Sequence, residues 1–272
     1  MQIIREIQDL TYLDWTRTRH SSGTAGSFLK AYEVRRGRRY YYKLSNYDVV
    51  QGIVGHECVN EIVVDRLLNR LGISHLSYQL IHARITIKGR DYETWLCQSA
   101  DFKIQGDSKI ALDAWYDAEA DGESPLEFCY RRGFSKEIDQ MLLTDFLILN
   151  RDRHGANIEI LKNRKNKTYR MAPLFDHGLS LLFSCHTQEA MEAVEPAEDK
   201  QVQSFVGSHS TYENLKLISR EGLMELPAFD HELYRYLFDG MEEIMGAVWV
   251  ECTWNFLKKR AEIYEDFRNQ RC

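Results

Sequence analysis

The sequence predicts an α+β chain in two lobes, a small β-rich one over residues 1–100 and a larger, mainly helical one over residues 101–272. Three observations carry this. Up to about residue 100, alternating runs and turn signals dominate, interrupted by one stretch of helical spacing. Beyond it, apolar residues recur at helical spacing through most of the chain. Within the second lobe, the apolar run at 141–149 ends abruptly in Asn150-Arg151-Asp152-Arg153-His154-Gly155-Ala156-Asn157. Charge placed at the end of a buried helix stands at the edge of the core, where it is either paired or functional.

Taken in order, residues 1–17 are mixed and suit an edge strand or a short helix. A loop of small residues follows, His20-Ser21-Ser22-Gly23-Thr24-Ala25-Gly26-Ser27, and leads into strand, turn and strand around Gly37. Such a loop can present backbone N–H groups and hydroxyls to phosphates, because glycine permits close approach. Lys43 sits in the second strand between Tyr42 and Leu44, so its ammonium either snorkels outward or points into a cleft and meets phosphate. Residues 54–71 have helical spacing and end at Gly72. Glu57 and Glu61 share a face of that helix; either could pair with Lys43, Glu61 is favoured, and the other is expected to be exposed.

Two further strands are expected at 76–87 and 91–98 around Lys88-Gly89-Arg90. The pattern breaks at Cys97-Gln98-Ser99-Ala100-Asp101-Phe102, the expected crossing between lobes, where the backbone would bond an adenine and Asp101 would reach a ribose or cap the next segment. Helices are expected at 109–119, 125–132 and 136–149, with Ser124 capping the second. After the charged loop, residues 158–161 and 168–172 read as a hairpin with a basic turn. The acidic stretch 189–199 reads as a mobile surface loop, and 230–241 and 243–267 as helices that pack the large lobe.

Composition narrows the function. A 44% hydrophobic and 12% aromatic share supplies real cores and excludes a disordered chain. A net charge of -6 argues against nucleic-acid binding by bulk electrostatics, and the basic turns at 35–39 and 162–167 read as solvated. The six cysteines are scattered without a C-x-x-C pair, which fits a reducing compartment and no zinc site. No signal peptide and no membrane span are read, so a cytoplasmic protein is expected.

The charged loop holds the chemistry. Asp152 and Asn157 have the spacing of the catalytic Asp and the metal-holding Asn in the kinase loop H-R-D-x-x-x-x-N. The hairpin after it returns the chain to Phe175-Asp176-His177-Gly178, so Asn157 and Asp176 can reach one metal. An Asn and an Asp oxygen, completed by phosphate and water, suit magnesium. Any one of these residues alone would read as a surface ion pair or a turn cap; the three together at this spacing do not.

With Ala172-Pro173-Leu174-Phe175-Asp176 beside the Asp-Arg-His-x-x-Asn string, residues 20–180 resemble the HipA-like serine/threonine kinase family, including its shorter CtkA-type members. The resemblance extends to Ser22-Gly23-Thr24-Ala25-Gly26, to Lys43 and to Glu61. It implies a two-lobed kinase-like fold with Mg-ATP in the cleft, bound through that loop, Lys43, Glu61, Gln98, Ser99 and Asp101. It implies catalysis by Asp152 as base with Lys43 on the phosphates, magnesium on Asn157 and Asp176, and a loop fixed by His154. The implied acceptor is a protein Ser or Thr hydroxyl, with self-phosphorylation in the small-residue loop, where Ser21, Ser22, Thr24 and Ser27 offer hydroxyls. The chain is shorter than full-length HipA and is expected to lack its extra N-terminal subdomain, so an antitoxin-like or regulatory partner stays open. The alternatives are a nucleotide-binding pseudokinase, a small-molecule or lipid kinase, and a pure interaction protein.

Overall fold

In the computed structural model, residues 2–18, 25–104 and 106–271 are described. Ser22, Gly23 and Thr24 of the small-residue loop lie outside the described residues, as does Cys272. The first half builds β1 (Ile3–Asp9), β2 (Thr16–Thr18), β3 (Ala25–Arg35), β4 (Arg38–Leu44), β5 (Tyr47–Asp48), β6 (Gly52–Ile53), α1 (Glu57–Leu71), β7 (Tyr78–Ile87) and β8 (Arg90–Ala100). The second half builds β9 (Asp107–Ala111), α2 (Leu112–Glu119), α3 (Pro125–Arg131), α4 (Ser135–Ile148), β10 (Asp152–Arg153), β11 (Glu159–Asn163), β12 (Thr168–Met171), α5 (Gln188–Glu192), β13 (Gln203–Ser204), α6 (Thr211–Lys216), α7 (His231–Phe238), α8 (Glu242–Met245) and α9 (Ala247–Arg271). The architecture is α+β, as the sequence predicts. No helix among the described residues is long and apolar enough to cross a membrane.

The main sheet runs β1-β7-β8-β4-β3-β2, antiparallel except for the β1–β7 pair. Strand alternation sends side chains to two faces. One face, with Ala31, Tyr42, Leu44, Ile81, Ala83 and Leu96, closes over Leu10 and Leu13. The other, with Leu80 and Cys97, packs on α1 and joins a core that runs on through α4 to Trp249, Phe256 and Leu257 of α9. Helix α1 is buried on nearly all sides, with only Asn69 and Arg70 exposed, which places it between the sheet and the helical part. Gly72 at φ +65° then ends it in the left-handed cap that glycine favours.

Several expectations need correction. The helix expected from residue 109 begins only at Leu112, because residues 107–111 form β9 and pair along β11. Ser108 reads as a helix start because the partner strand lies some fifty residues ahead, beyond the reach of local pattern. Residues 97–100 belong to β8 rather than to an irregular crossing. Glu57 is not exposed: it is buried, and its carboxylate accepts from the Asn46 N–H at 3.0 Å. The expected helix 136–149 is present as α4, capped by Leu149 in left-handed conformation at φ +50° just before Asn150. The expected cap of α3 is present, with Ser124 and Glu127 forming a reciprocal capping box.

The acidic stretch at 189–199 is not a free loop. Its start forms α5, Asp199 accepts from the Thr211 N–H at 3.2 Å, and Arg260 donates to the Pro196 carbonyl at 2.9 Å. Arg260 is fully buried on α9 and also donates to the Phe146 carbonyl at 2.6 Å and to Thr211 Oγ1 at 3.0 Å. One side chain thus ties α4, α6, α9 and the acidic stretch. Removing it takes the Arg260 donor from the buried Phe146 carbonyl and Thr211 hydroxyl and from the half-buried Pro196 carbonyl, and a buried acceptor left unmatched costs about 1–3 kcal/mol. Arg260→Ala is expected to lower unfolding stability by about 2 kcal/mol or more in a denaturant titration. A loss below about 1 kcal/mol would contradict the clamp.

Candidate functional site

Lys43 comes from β4, where alternation turns it away from the Tyr42 core. Its ammonium lies 2.8 Å from Glu61 Oε1, hydrogen-bonds Asp176 Oδ1, and sits 4.9 Å from the centre of the Phe28 ring. Burial works against this charge, but the Asp176 and Glu61 carboxylates outweigh it and hold Lys43 well above the usual lysine range. The lysine is therefore a permanent cation. Of the two glutamates offered by the sequence, Glu61 is its partner, and it is fully buried.

Lys30 was not singled out in the sequence, yet its ammonium lies 3.8 Å from the other oxygen of Asp176. The signal for it was available. The turn at Arg36-Gly37 pairs Arg35 with Arg38, and counting back along the hairpin sets Lys30 directly opposite Lys43. Asp176 thus stands between two lysines. Its backbone is left-handed at φ +61°, an uncommon state for a residue with a side chain, and its N–H donates to the Tyr78 hydroxyl at 3.3 Å. Behind it, the His177 N–H donates to Glu61 Oε2 at 2.9 Å. Burial, reinforced by the Arg153 charge, pushes the His177 imidazole well below its usual range, so it is neutral.

Asn157 is buried in the turn after β10, and its Nδ2 donates to the Asp152 carbonyl at 2.9 Å. Its Oδ1 is the atom of the amide suited to a hard cation. Arg153 locks the two loops together. It grips Asp145 with Nε at 2.9 Å from Oδ2 and Nη2 at 2.9 Å from Oδ1, and donates from Nη1 to the carbonyls of Phe175 at 3.0 Å and Asn157 at 3.3 Å. Its bonds are those of a structural brace between the two loops. Arg151 donates from Nε to the Gln201 carbonyl at 2.7 Å.

Asp152 is half-buried, with His154 Nε2 3.7 Å from its Oδ1. It does not line the cavity at Lys43; Asn157 links it to that wall. The cavity is lined by Lys30, Lys43 and Asp176, which contact one another, by Asn157, and by Tyr41, Phe102, Phe175, Lys109 and Glu159. Of the residues expected at a base and sugar, Ser99 lines it, whereas Gln98 points to the opposite face and donates to the Tyr42 hydroxyl at 2.7 Å. Asp101 lies off the wall, capping the Lys103 N–H at 3.0 Å and pairing with Lys109 at 3.2 Å. Ala25 and Gly26 fall in β3, while Ser22, Gly23 and Thr24 are outside the described residues.

No cluster of three His, Cys, Asp or Glu side chains that could hold a metal occurs among the described residues. A site of one Asp and one Asn fits magnesium, which keeps water and takes its remaining ligands from phosphate. Two lysines at the same end fit those phosphates.

No protein-family model matches the chain, and no curated protein does. Solved structures do. The Helicobacter pylori proinflammatory kinase CtkA aligns over 97% of this chain and 98% of its own, at 15% identity and a TM-score of 0.62. HipA of Shewanella oneidensis MR-1, from its complex with HipB and operator DNA, aligns over 90% of this chain and 66% of its own, at 15% identity and a TM-score of 0.51. The chain has a HipA-like kinase fold.

A histidine at the start of α1 makes the region sensitive to pH. Burial pushes His56 down to about 4 from the ordinary 6.5, and Nε2 donates to the Leu182 carbonyl at 3.1 Å in the neutral form. A folded pKa below the unfolded one means that stability is present above pH 6.5 and is lost as pH falls toward 4. The loss amounts to about 3 kcal/mol at most. Unfolding titrations across that window should show a shallower fall in His56→Gln. Equal slopes would contradict this assignment.

Proposed function

We propose that the chain is a kinase that uses Mg-ATP to phosphorylate a serine or threonine hydroxyl of a protein. The observation that carries this reading is Asp176, whose carboxylate is held between Lys43 and Lys30 with Glu61 behind, on the same cavity wall as Asn157. Phosphoryl transfer has a loose, anionic transition state, so catalysis depends on placing cations and a proton acceptor.

Lys43 and Lys30 would bind phosphate oxygens, with Lys43 kept charged and aimed by Glu61. Asp176 and Asn157 would hold magnesium, which when bound neutralises charge across the phosphates. Asp152 would accept the proton of the attacking hydroxyl, and its position outside the cavity wall suits a group that meets the acceptor rather than the nucleotide. His154, at 3.7 Å, would orient that carboxylate. Self-phosphorylation in the loop of Ser21, Ser22, Thr24 and Ser27 and a regulatory protein partner belong to the same proposal; they rest on the resemblance.

Intact mass after incubation with Mg-ATP tests it. Wild type is expected to gain phosphate, while Asp152→Asn slows the gain by about 10²–10⁴-fold and still binds nucleotide. Lys30→Met is expected to weaken ATP more than adenosine. Nucleotide binding without transfer to any acceptor would favour a pseudokinase, and absence of nucleotide binding would sink the reading.

A further inference from the structure

A chain of contacts leads away from Asp176 along the cavity. Phe175 stacks obliquely on Phe102, ring centres 6.0 Å apart. The Lys109 ammonium lies 3.9 Å from the centre of the Phe102 ring, 3.2 Å from Asp101 Oδ1 and 3.6 Å from Glu159 Oε2. Lys109 and Glu159 sit on neighbouring strands, diagonal to one another, since Glu159 faces Ala111 and Leu161 faces Lys109. Both line the cavity, and their side chains are only 18% and 13% exposed. An aromatic end furnished with an ammonium and a carboxylate differs from a purely apolar slot. Charges are expensive to bury, and a ligand that bonds both offsets that cost.

The chemistry of the pair can be set against the purine edges. Adenine offers one amino donor beside one ring acceptor. Guanine offers the O6 acceptor, a ring N–H and an amino group in a row, so a carboxylate can take two parallel N–H bonds while an ammonium meets O6. Building on the nucleotide-binding reading above, we propose that Lys109 and Glu159 read the nucleobase and admit guanine as well as adenine, making GTP a second phosphate donor. Lys109 would donate to O6, and Glu159 would accept from the ring N–H and the amino group. Asp101, bonded to Lys109 from outside the wall, would hold the ammonium in place.

Calorimetric titration of the full chain with Mg-ATP and Mg-GTP tests this without reference to activity. Wild type is expected to bind GTP within about tenfold of ATP, and Glu159→Gln to weaken GTP by at least about tenfold more than ATP. ATP binding with no competition from a hundredfold excess of GTP would overturn the inference and leave the nucleotide reading standing. Failure of both nucleotides would overturn the two together. A Glu159→Gln protein with a lowered melting temperature and an unchanged GTP-to-ATP ratio would reduce the pair to a brace between β9 and β11, and so overturn the inference as well.

Discussion

Glu61 has no exposed surface, and a buried carboxylate is tolerable only when its oxygens are bonded. One oxygen meets Lys43 of β4 and the other meets the His177 N–H in the segment after Asp176. A single side chain on α1 therefore fixes the sheet and the segment that follows Asp176 to one another. The rest of α1 extends the same logic. Asn60 donates to the carbonyls of Gly178 and Ser180, Asp65 accepts from the Tyr78 N–H, and Arg66 donates to the carbonyls of Leu237 and Asp239. This explains how a helix buried almost all round can be rich in polar residues: each polar group secures a different neighbour.

The price of such a site is backbone strain, and it is concentrated. Leu149, Asp176 and Leu181 adopt left-handed conformations, all within the stretch that carries Asp152, Asn157 and Asp176. Arg153 offsets it by bonding the carbonyls of Asn157 and Phe175 while anchored on Asp145. The neutral state of His177 belongs to the same account. A protonated imidazole there would face both Arg153 and Lys43 in a buried setting.

Much of this was legible because local chemistry dictated it. The apolar run into α4, the hairpin of β11 and β12, the N-cap before α3 and the narrowing of the Lys43 partner to two glutamates one helical turn apart all follow from periodicity, turn residues or helical spacing. What escaped was decided by distant pairing. Strand β9 exists because β11 receives it, Gln98 faces away because β8 continues past the expected break, and Glu57 is buried because the Asn46 N–H needs an acceptor. Lys109 and Glu159 show the limit clearly. Neither has a motif, and only the register of two strands brings them to one wall.

The placement of Asp152 follows from the same division between backbone and side chain. Its strand pairs with Gln203-Ser204, the Arg151 N–H donates to the Leu179 carbonyl at 2.9 Å, and the carbonyls of Arg151 and Arg153 accept from Gln203 and Phe205 at 3.0 and 2.9 Å. Main-chain bonds on both sides thus hold the residue while its carboxylate stays half exposed. A fixed position with an accessible carboxylate suits the proton-acceptor role proposed for it. The segment before β13 contributes by being pinned: Arg260 holds the Pro196 carbonyl of the acidic stretch and Arg151 the Gln201 carbonyl just after it, so the strand that supports Asp152 is anchored to the helical core. Packing alone could not do this, because the segment from Asn150 to Asn157 has few apolar side chains to bury.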